Sequence, residues 1–204
     1  MKLKNDFYNR ETLNVARDLL GKVLVHNMNG EILRGRIVET EAYLGVIDKA
    51  AHSYGGKKTE RVEIMYGPPG RAYIYFIYGM YYLFNVVTKE EGTPEAVLIR
   101  GVEPLEGIET MAKNRYGKTI DVLSNRQIIN LTNGPGKLCM AMKIDKDLNG
   151  EDLCENTLYI EDNQDVFDIV TDKRIGIDYA EEAIDFPFRF YIKGNKYVSK
   201  ILKN

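Results

Sequence analysis

The sequence predicts a single mixed α+β domain spanning residues 1–204. Three observations carry this: strand-like runs outnumber helical ones, no regular strand–helix–strand alternation is present, and 204 residues fit one well-packed unit. There is no internal repeat and no low-complexity tract.

The elements follow in order. Asn9 is placed to cap a helix over Glu11 to Leu20, with Leu13, Ala16, Leu19 and Leu20 inward and Gly21 closing it. Lys22 to His26 and Ile32 to Leu44 read as strands, and alternation puts Ile37, Glu39, Glu41 and Tyr43 on one face of the second. Gly45 to Gly70 is a long loop rich in Gly and Lys that contains His52 and Met65, and long loops in compact domains are often functional. Arg71 to Ile77 and Tyr81 to Val87 form a hairpin turning at Tyr78-Gly79-Met80, with Gly79 free to take positive φ. Ala96 to Val102 is a strand, and Pro104 suits the first turn of a helix carrying Leu105, Ile108, Met111 and Ala112, ended by Gly117. Asn133 to Lys137 opens a short helix through Met142, and Phe186 to Leu202 reads as a hairpin turning at Gly194-Asn195.

Composition is that of an ordinary globular chain: 44 % hydrophobic and 28 % charged residues. The polar start and the lack of any apolar run near ~18 residues place the protein inside the cell, in the cytoplasm and nucleoid or the nucleus. Cys139, Cys154, His26 and His52 have no metal-ligand spacing, so neither a zinc site nor a disulfide scaffold is expected. Net charge is −2, which argues against a nucleic-acid partner until its distribution is examined. Residues 111–143 hold six Lys or Arg against one acid, and residues 186–204 hold five against none. Residues 144–185 hold three against fourteen, so a basic face can coexist with an acidic back.

Chemistry concentrates in two places. The stretch Tyr73 to Phe84 has seven aromatics in twelve residues, five of them tyrosines. A core hairpin accounts for Phe76 and Phe84 but less well for hydroxyls that need partners, so a surface on which bases stack is the competing reading. Tyr78 at a hairpin tip is placed to wedge into a base stack and fill the gap left by an extruded nucleotide. Glu41, beside Tyr43 on its strand, is the candidate general base, because a partly desolvated carboxylate accepts a proton more readily than one in water. Any single strand glutamate is by default merely exposed; Glu39 two residues earlier adds the further reading of a carboxylate pair for glycoside hydrolysis. Gly67 to Gly70 and Gly134 to Lys137 do not complete a nucleotide-binding loop, which excludes an NTPase on motif grounds. Lys137 as a Schiff-base nucleophile is disfavoured, since lysines at helix starts are mostly solvated.

The run Gly35 to Gly45, then Ala50-Ala-His-Ser53, Tyr75 to Asn85, Leu98-Ile-Arg100, Glu103 to Gly107, Asn133 to Cys139, Arg174 to Ile177 and Phe188 to Tyr191 resembles the alkyladenine (3-methyladenine) DNA glycosylase family, in order and over nearly the whole chain. The resemblance implies a curved antiparallel sheet with a protruding hairpin, and a monofunctional base-excision enzyme. Such an enzyme flips alkylated or deaminated purines (3-methyladenine, 7-methylguanine, hypoxanthine) from duplex DNA and hydrolyses the N-glycosidic bond, leaving an abasic site. It implies Glu41 and Arg100 holding and activating the water, Tyr43, His52 and Tyr75 around the flipped base, and Asn85 crowding the 2-amino group of normal guanine. It also implies Tyr78 as the wedge, Met65 and Tyr81 pressing on the minor groove, and a backbone carbonyl of Arg174 to Gly176 reaching the water. No metal or cofactor, double-stranded DNA as partner, and a monomer complete the expectation. Two other classes stay open at this point: a nucleoside or sugar hydrolase using Glu39 and Glu41, and a non-catalytic nucleic-acid-binding module built on the tyrosines.

Overall fold

The computed structural model describes residues 1–199. Two short helices, α1 (Asn5–Tyr8) and α2 (Thr12–Asp18), precede the long strands β1 (Val23–Met28) and β2 (Glu31–Tyr43). A connection containing three 3-10 turns leads to the hairpin β3 (Ala72–Ile77) and β4 (Tyr81–Thr88), then to β5 (Glu95–Glu106). Helices α3 (Ile108–Tyr116), α4 (Asn125–Ile129) and α5 (Pro135–Ala141) follow, and the short strands β6 (Leu158–Glu161), β7 (Ile169–Asp172) and β8 (Arg189–Ile192) complete the sheet. The predicted mixed fold is correct, and the sheet is a strongly curled antiparallel half-barrel.

Sheet order is β3-β4-β5-β2-β1-β6, with β8 joining β2 to β7. One edge of β2 is shared, residues 31–36 pairing with β1 and residues 39–41 with β8. The handover coincides with two opposed bulges against β5. Ile37 pairs with Val102 and Glu39 with Gly101, leaving Val38 extra on β2; Thr40 then pairs with Ile99, leaving Arg100 extra on β5. A bulge bends its strand, raises local twist and re-aims a side chain. The core of buried aliphatic residues, among them Leu24, Ile37, Val86, Val97 and Ile99, lies between the sheet and helices α2 and α5.

Several boundaries differ from the sequence reading, each for a local reason. Glu11, not Asn9, occupies the cap position of α2, because the chain first closes the separate turn of α1. Pro104 does not start a helix: β5 runs on to Glu106, and Pro104 pairs with Gly35 beside a further irregularity where Leu105 is extra, a setting that tolerates a residue lacking an N–H. Helix α3 begins only after Gly107, at φ 73°. The expected C-terminal hairpin is absent among the described residues: β8 pairs with β2 and β7, and the chain after Gly194 forms turns. The last part of that expectation, residues 200–202, lies outside the described residues. Strands β6 and β7 come from an acidic stretch whose alternation is short, and β6 is held by pairing with β1.

The hairpin β3–β4 is in full register from Ala72 opposite Val86 to Ile77 opposite Tyr81. At its tip Tyr78 has φ 54° and Gly79 φ 68°, closed by Met80 N–H donating to Ile77 O at 3.2 Å. Glycine takes this conformation freely, whereas a β-carbon makes it costly, so Tyr78 holds a backbone that its own side chain opposes. Tyr78→Gly is therefore expected to leave folding stability unchanged or raise it by up to about 1 kcal/mol, the glycine's entropy offsetting part of the relief. The midpoint of urea unfolding checks this, and a clear loss of stability would show that the ring is held by contacts rather than displayed.

Candidate active site

The strand register assembles the site. Glu41 on β2 stands opposite Leu98 on β5, Leu98 opposite Asn85 on β4, and Asn85 opposite Tyr73 on β3. Residues directly opposite one another in an antiparallel sheet share a face, so these four form one row across the curled sheet. The next rows along the hairpin, Tyr75 with Leu83 and Ile77 with Tyr81, continue the same face toward the tip. Above it lies a cavity of about 460 Å³, the size of a small-ligand pocket.

Eight of the nine residues singled out from the sequence line this cavity: Tyr43, His52, Met65, Tyr75, Tyr78, Tyr81, Asn85 and Arg100. Glu41, the ninth, has no exposed surface and lies behind the wall formed by Tyr43, Arg100 and Ile175. Its Oε2 accepts the Tyr43 hydroxyl at 2.8 Å and faces Arg100 Nη1 at 3.3 Å, while Oε1 accepts the N–H of Ile175 at 2.8 Å. The stretch from Arg174 to Gly176 thus reaches Glu41 through an amide N–H. That stretch is anchored by Arg174, whose guanidinium donates to both oxygens of Asp48 at 2.5 and 2.8 Å and to the carbonyl of Ala42 at 2.9 Å.

Arg100 divides itself between two carboxylates, since its Nε also donates to Glu39 Oε1 at 3.1 Å. Burial works against the charge of Arg100, but Glu41 and then Glu39 more than offset this and hold its pKa above the ordinary guanidinium value. Glu39 is fully enclosed: Arg189 Nε donates to Oε1 at 2.7 Å, the Ser199 hydroxyl to Oε1 at 2.9 Å and the Ser199 N–H to Oε2 at 2.7 Å. The paired-carboxylate reading therefore loses its second member, because Glu39 spends its oxygens on a buried ion network and does not line the cavity. Arg189, counted above among the basic residues of the C-terminal segment, is fully buried and also meets Asp172, so it contributes nothing to a basic surface.

The cavity walls are largely aromatic, with Arg100 and Lys137 as their cationic members. Burial, reinforced by Glu41, pushes the Tyr43 phenol well above its usual pKa, and burial followed by Tyr73 does the same to Tyr75. Burial pushes Tyr73 up to about 12. His52 shares a 2.8 Å hydrogen bond with the Tyr73 hydroxyl and meets the Tyr75 ring edge-to-face at 4.5 Å. Burial first, then the nearby charges of Arg61 and Lys57, lower its pKa to about 4. Asn85 is fixed by donating from Nδ2 to the Tyr73 carbonyl at 3.0 Å. Among the described residues no three His, Cys, Asp or Glu side chains group closely enough to hold a metal ion, and no helix is long and apolar enough to cross a membrane.

The hairpin tip carries the exposed surface. Tyr78 is 79 % exposed and Met80 beside it 61 %. Met65, expected at the DNA surface, is instead 2 % exposed and packs with Val62, Tyr73 and Val87 in the cavity wall. Met80, two residues from Tyr78 on the tight turn, is exposed where Met65 is not. Tyr81 flanks α5, where a β-carbon on Gly136 would lie 2.9 Å from the tyrosine ring; glycine permits that approach. Tyr73, Lys137 and Tyr179 also line the cavity without having been assigned a part in it. Lys137 is held by Asn130 Oδ1 and Asn133 Oδ1, both at 2.8 Å.

A curled sheet with an aromatic slot, a buried carboxylate behind one wall and an exposed phenol in its lining offers a pocket suited to a flat, unsaturated group. Comparison with known sequences fixes the class. A profile of the family described as Methylpurine-DNA glycosylase (MPG) matches residues 6–196. A protein of Desulfitobacterium hafniense (strain Y51) is 62 % identical over 97 % of this chain and 98 % of its own length. One of Alkaliphilus oremlandii (strain OhILAs) is 62 % identical over 98 % and 100 %, and one of Clostridium tetani (strain Massachusetts / E88) is 61 % identical over 98 % and 100 %. All three carry 3-methyladenine DNA glycosylase as a provisional name. The chain belongs to the methylpurine-DNA glycosylase family. It is accordingly a DNA glycosylase for alkylated bases, a hydrolase of N-glycosyl bonds whose partner is DNA.

His52 gives this geometry a pH signature. Its folded pKa lies below the unfolded value of about 6.5, so its contribution to stability is complete above about 6.5 and is lost as pH falls toward 4. The His52 ring resonances are expected to titrate with a midpoint near 4 in an NMR pH series, and His52→Gln to flatten the decline in stability across that window. A midpoint near 6.5 would mean an imidazole open to water.

Proposed function

We propose that the protein flips a damaged purine out of duplex DNA into the slot between Tyr43, His52 and Tyr75 and hydrolyses its N-glycosidic bond with a water activated by Glu41. The observation that carries this reading is one aromatic cavity lined by the exposed hairpin-tip phenol of Tyr78 and by Tyr43 and Arg100, the two side chains that contact the buried Glu41 carboxylate. Duplex DNA meets the protein at the hairpin. Tyr78 fills the gap left by the extruded nucleotide, and Met80 and Tyr81 press on the groove beside it. Unstacking a base costs a few kcal/mol, and a planar ring that needs no ordering of its own returns part of this. Inside the slot, three neutral rings stack against the purine and favour electron-poor bases, including cationic ones, by attraction to their π faces. Asn85, fixed by the Tyr73 carbonyl, crowds the position of the 2-amino group that guanine carries and hypoxanthine lacks.

The chemical step follows from charge. As the N-glycosidic bond breaks, its electron pair leaves with the purine and the sugar gains oxocarbenium character. Water attacks C1′ and passes a proton to Glu41, whose negative charge also stabilises the sugar. Glu41 Oε1 accepts only the Ile175 N–H among the described residues and keeps a lone pair for that water. Arg100, fixed by Glu39, holds the Glu41 carboxylate in place. Cationic 3-methyladenine or 7-methylguanine leaves as the neutral base, hypoxanthine leaves as an anion that takes up a proton from solvent, and Glu41 returns its proton to solvent; an abasic site remains, with the protein acting as a monomer of one domain and needing no cofactor.

Purified protein is expected to release these bases from duplex oligonucleotides, with alkaline cleavage revealing the abasic sites. Glu41→Gln should retain binding to lesion DNA and slow release by about 100-fold or more. Equal release by the variant would remove Glu41 from the reaction. Tyr78→Ala should lose excision from duplex DNA; a hydrolase of free nucleosides would keep its turnover. Affinity for DNA should fall steeply with salt, and indifference to salt would contradict a phosphate-contacting surface.

A further inference from the structure

Arg61 lies in the connection between β2 and β3 and does not line the cavity, yet its guanidinium stands 5.0 Å from the centroid of the Tyr75 ring, which does. Tyr75 in turn meets His52 at 4.5 Å and Tyr73 at 5.4 Å, so this cation backs the most closely built part of the aromatic wall. Among the described residues no carboxylate lies within ion-pair distance of Arg61, although Glu60 and Glu63 are close in sequence. Its field reaches the interior of the slot, where it is one of the charges that keep the His52 imidazole neutral.

Resting on the glycosylase reading above, we propose that Arg61 sets the charge preference of the slot: through Tyr75 it opposes the binding of a permanently cationic base and assists the departure of any purine, cationic or neutral. A base stacked on Tyr75 lies one ring spacing further, which puts the two charges roughly 8 to 10 Å apart. At that distance a charge beside a low-dielectric wall still alters an equilibrium severalfold, the exposure of Arg61 and salt reducing the effect.

The two halves of the proposal separate because binding and bond cleavage place different charges on the base. Before cleavage an N7-methylated guanine carries +1 and is repelled by Arg61, whereas hypoxanthine is neutral and is not. During cleavage the electron pair of the bond to C1′ moves into the ring system, so the methylated base goes from cation to neutral and hypoxanthine from neutral toward anion. Each base becomes more negative by the same amount, and a fixed cation behind the wall favours that change in both. Arg61 touches neither water nor C1′; it is a positioning and tuning residue that acts through Tyr75.

The test uses the full chain, Arg61→Gln and Arg61→Lys, on duplex oligonucleotides carrying one 7-methylguanine or one hypoxanthine. Single-turnover release measured against enzyme concentration yields affinity and the rate of bond cleavage separately. In Arg61→Gln, affinity for the 7-methylguanine duplex should rise about three- to tenfold while affinity for the hypoxanthine duplex stays within about twofold, and the cleavage rate should fall by a similar factor for both. Arg61→Lys, which keeps the charge, should restore the wild-type pattern, and the contrast should shrink at high salt. If Arg61→Gln weakens both duplexes alike, Arg61 merely braces Tyr75 and the proposal is overturned; it is equally overturned if neither affinity moves or if Lys fails to rescue. Release of neither base by the wild-type protein would bring down the glycosylase reading and this inference together. Release by the wild type without the split leaves that reading standing and removes only the part given to Arg61.

Discussion

The site depends on one guanidinium shared between two buried carboxylates. Arg100 is an extra residue of β5, displaced by a bulge at the point where the edge of β2 passes from β1 to β8, and the displacement lets it meet Glu39 through Nε and Glu41 through Nη1. Enclosing two negative charges in a protein interior is unfavourable unless each is paired and hydrogen-bonded. Here Arg189 and Ser199 complete the shell of Glu39, and Tyr43 and Ile175 that of Glu41. Removing one member of such a group leaves an uncompensated buried charge, typically at a cost of about 3–5 kcal/mol. The network therefore links stability to chemistry: the groups that make Glu41 tolerable inside the fold also fix where its oxygens point.

The aromatic part of the site complements that charge by having none. Tyr43, Tyr75 and Tyr73 keep their protons because burial disfavours phenolate, and His52 stays neutral because burial and two nearby cations disfavour imidazolium. The slot consequently offers π faces, with the Arg100 guanidinium and the Lys137 ammonium also in its lining. Its rigidity comes from the sheet, since Asn85, Leu98 and Glu41 are successive members of one cross-strand row, while Tyr78 is exposed on the hairpin turn. The division suits the reaction proposed above, in which a base is held still and a helix is opened.

Much of this was legible in the sequence, and the limits have physical causes. Period-two alternation located β2 and put Glu41 beside Tyr43, and the glycine after Tyr78 marked the hairpin turn, because both signals are local. Ordered blocks from Gly35 to Tyr191 pointed to the family, and through it to Arg100, whose pairing depends on a bulge that no local pattern reveals. Glu39 looked equivalent to Glu41 because strand periodicity reports a face and not who stands opposite; its enclosure by Arg189 and Ser199 is set by residues 150 and 160 positions away. The same long-range pairing explains why Arg189 counted as a surface charge. The burial of Met65 escapes the sequence for a simpler reason, as a methionine in a loop has no periodicity to fix its burial. Pro104 was read as a helix start on propensity alone, whereas the pairing of β5 with β2 carried the strand past it.

The central claim is that a base lies between the rings with its glycosidic bond toward Glu41. The most direct measurement is a crystal structure of Glu41→Gln bound to duplex DNA containing hypoxanthine. The account requires the purine between Tyr43, His52 and Tyr75, the Tyr78 ring in the vacated stack, and a water about 3 Å from residue 41 on the side of C1′. A purine left in the helix, or one seated with its C1′ turned away from residue 41, would contradict it.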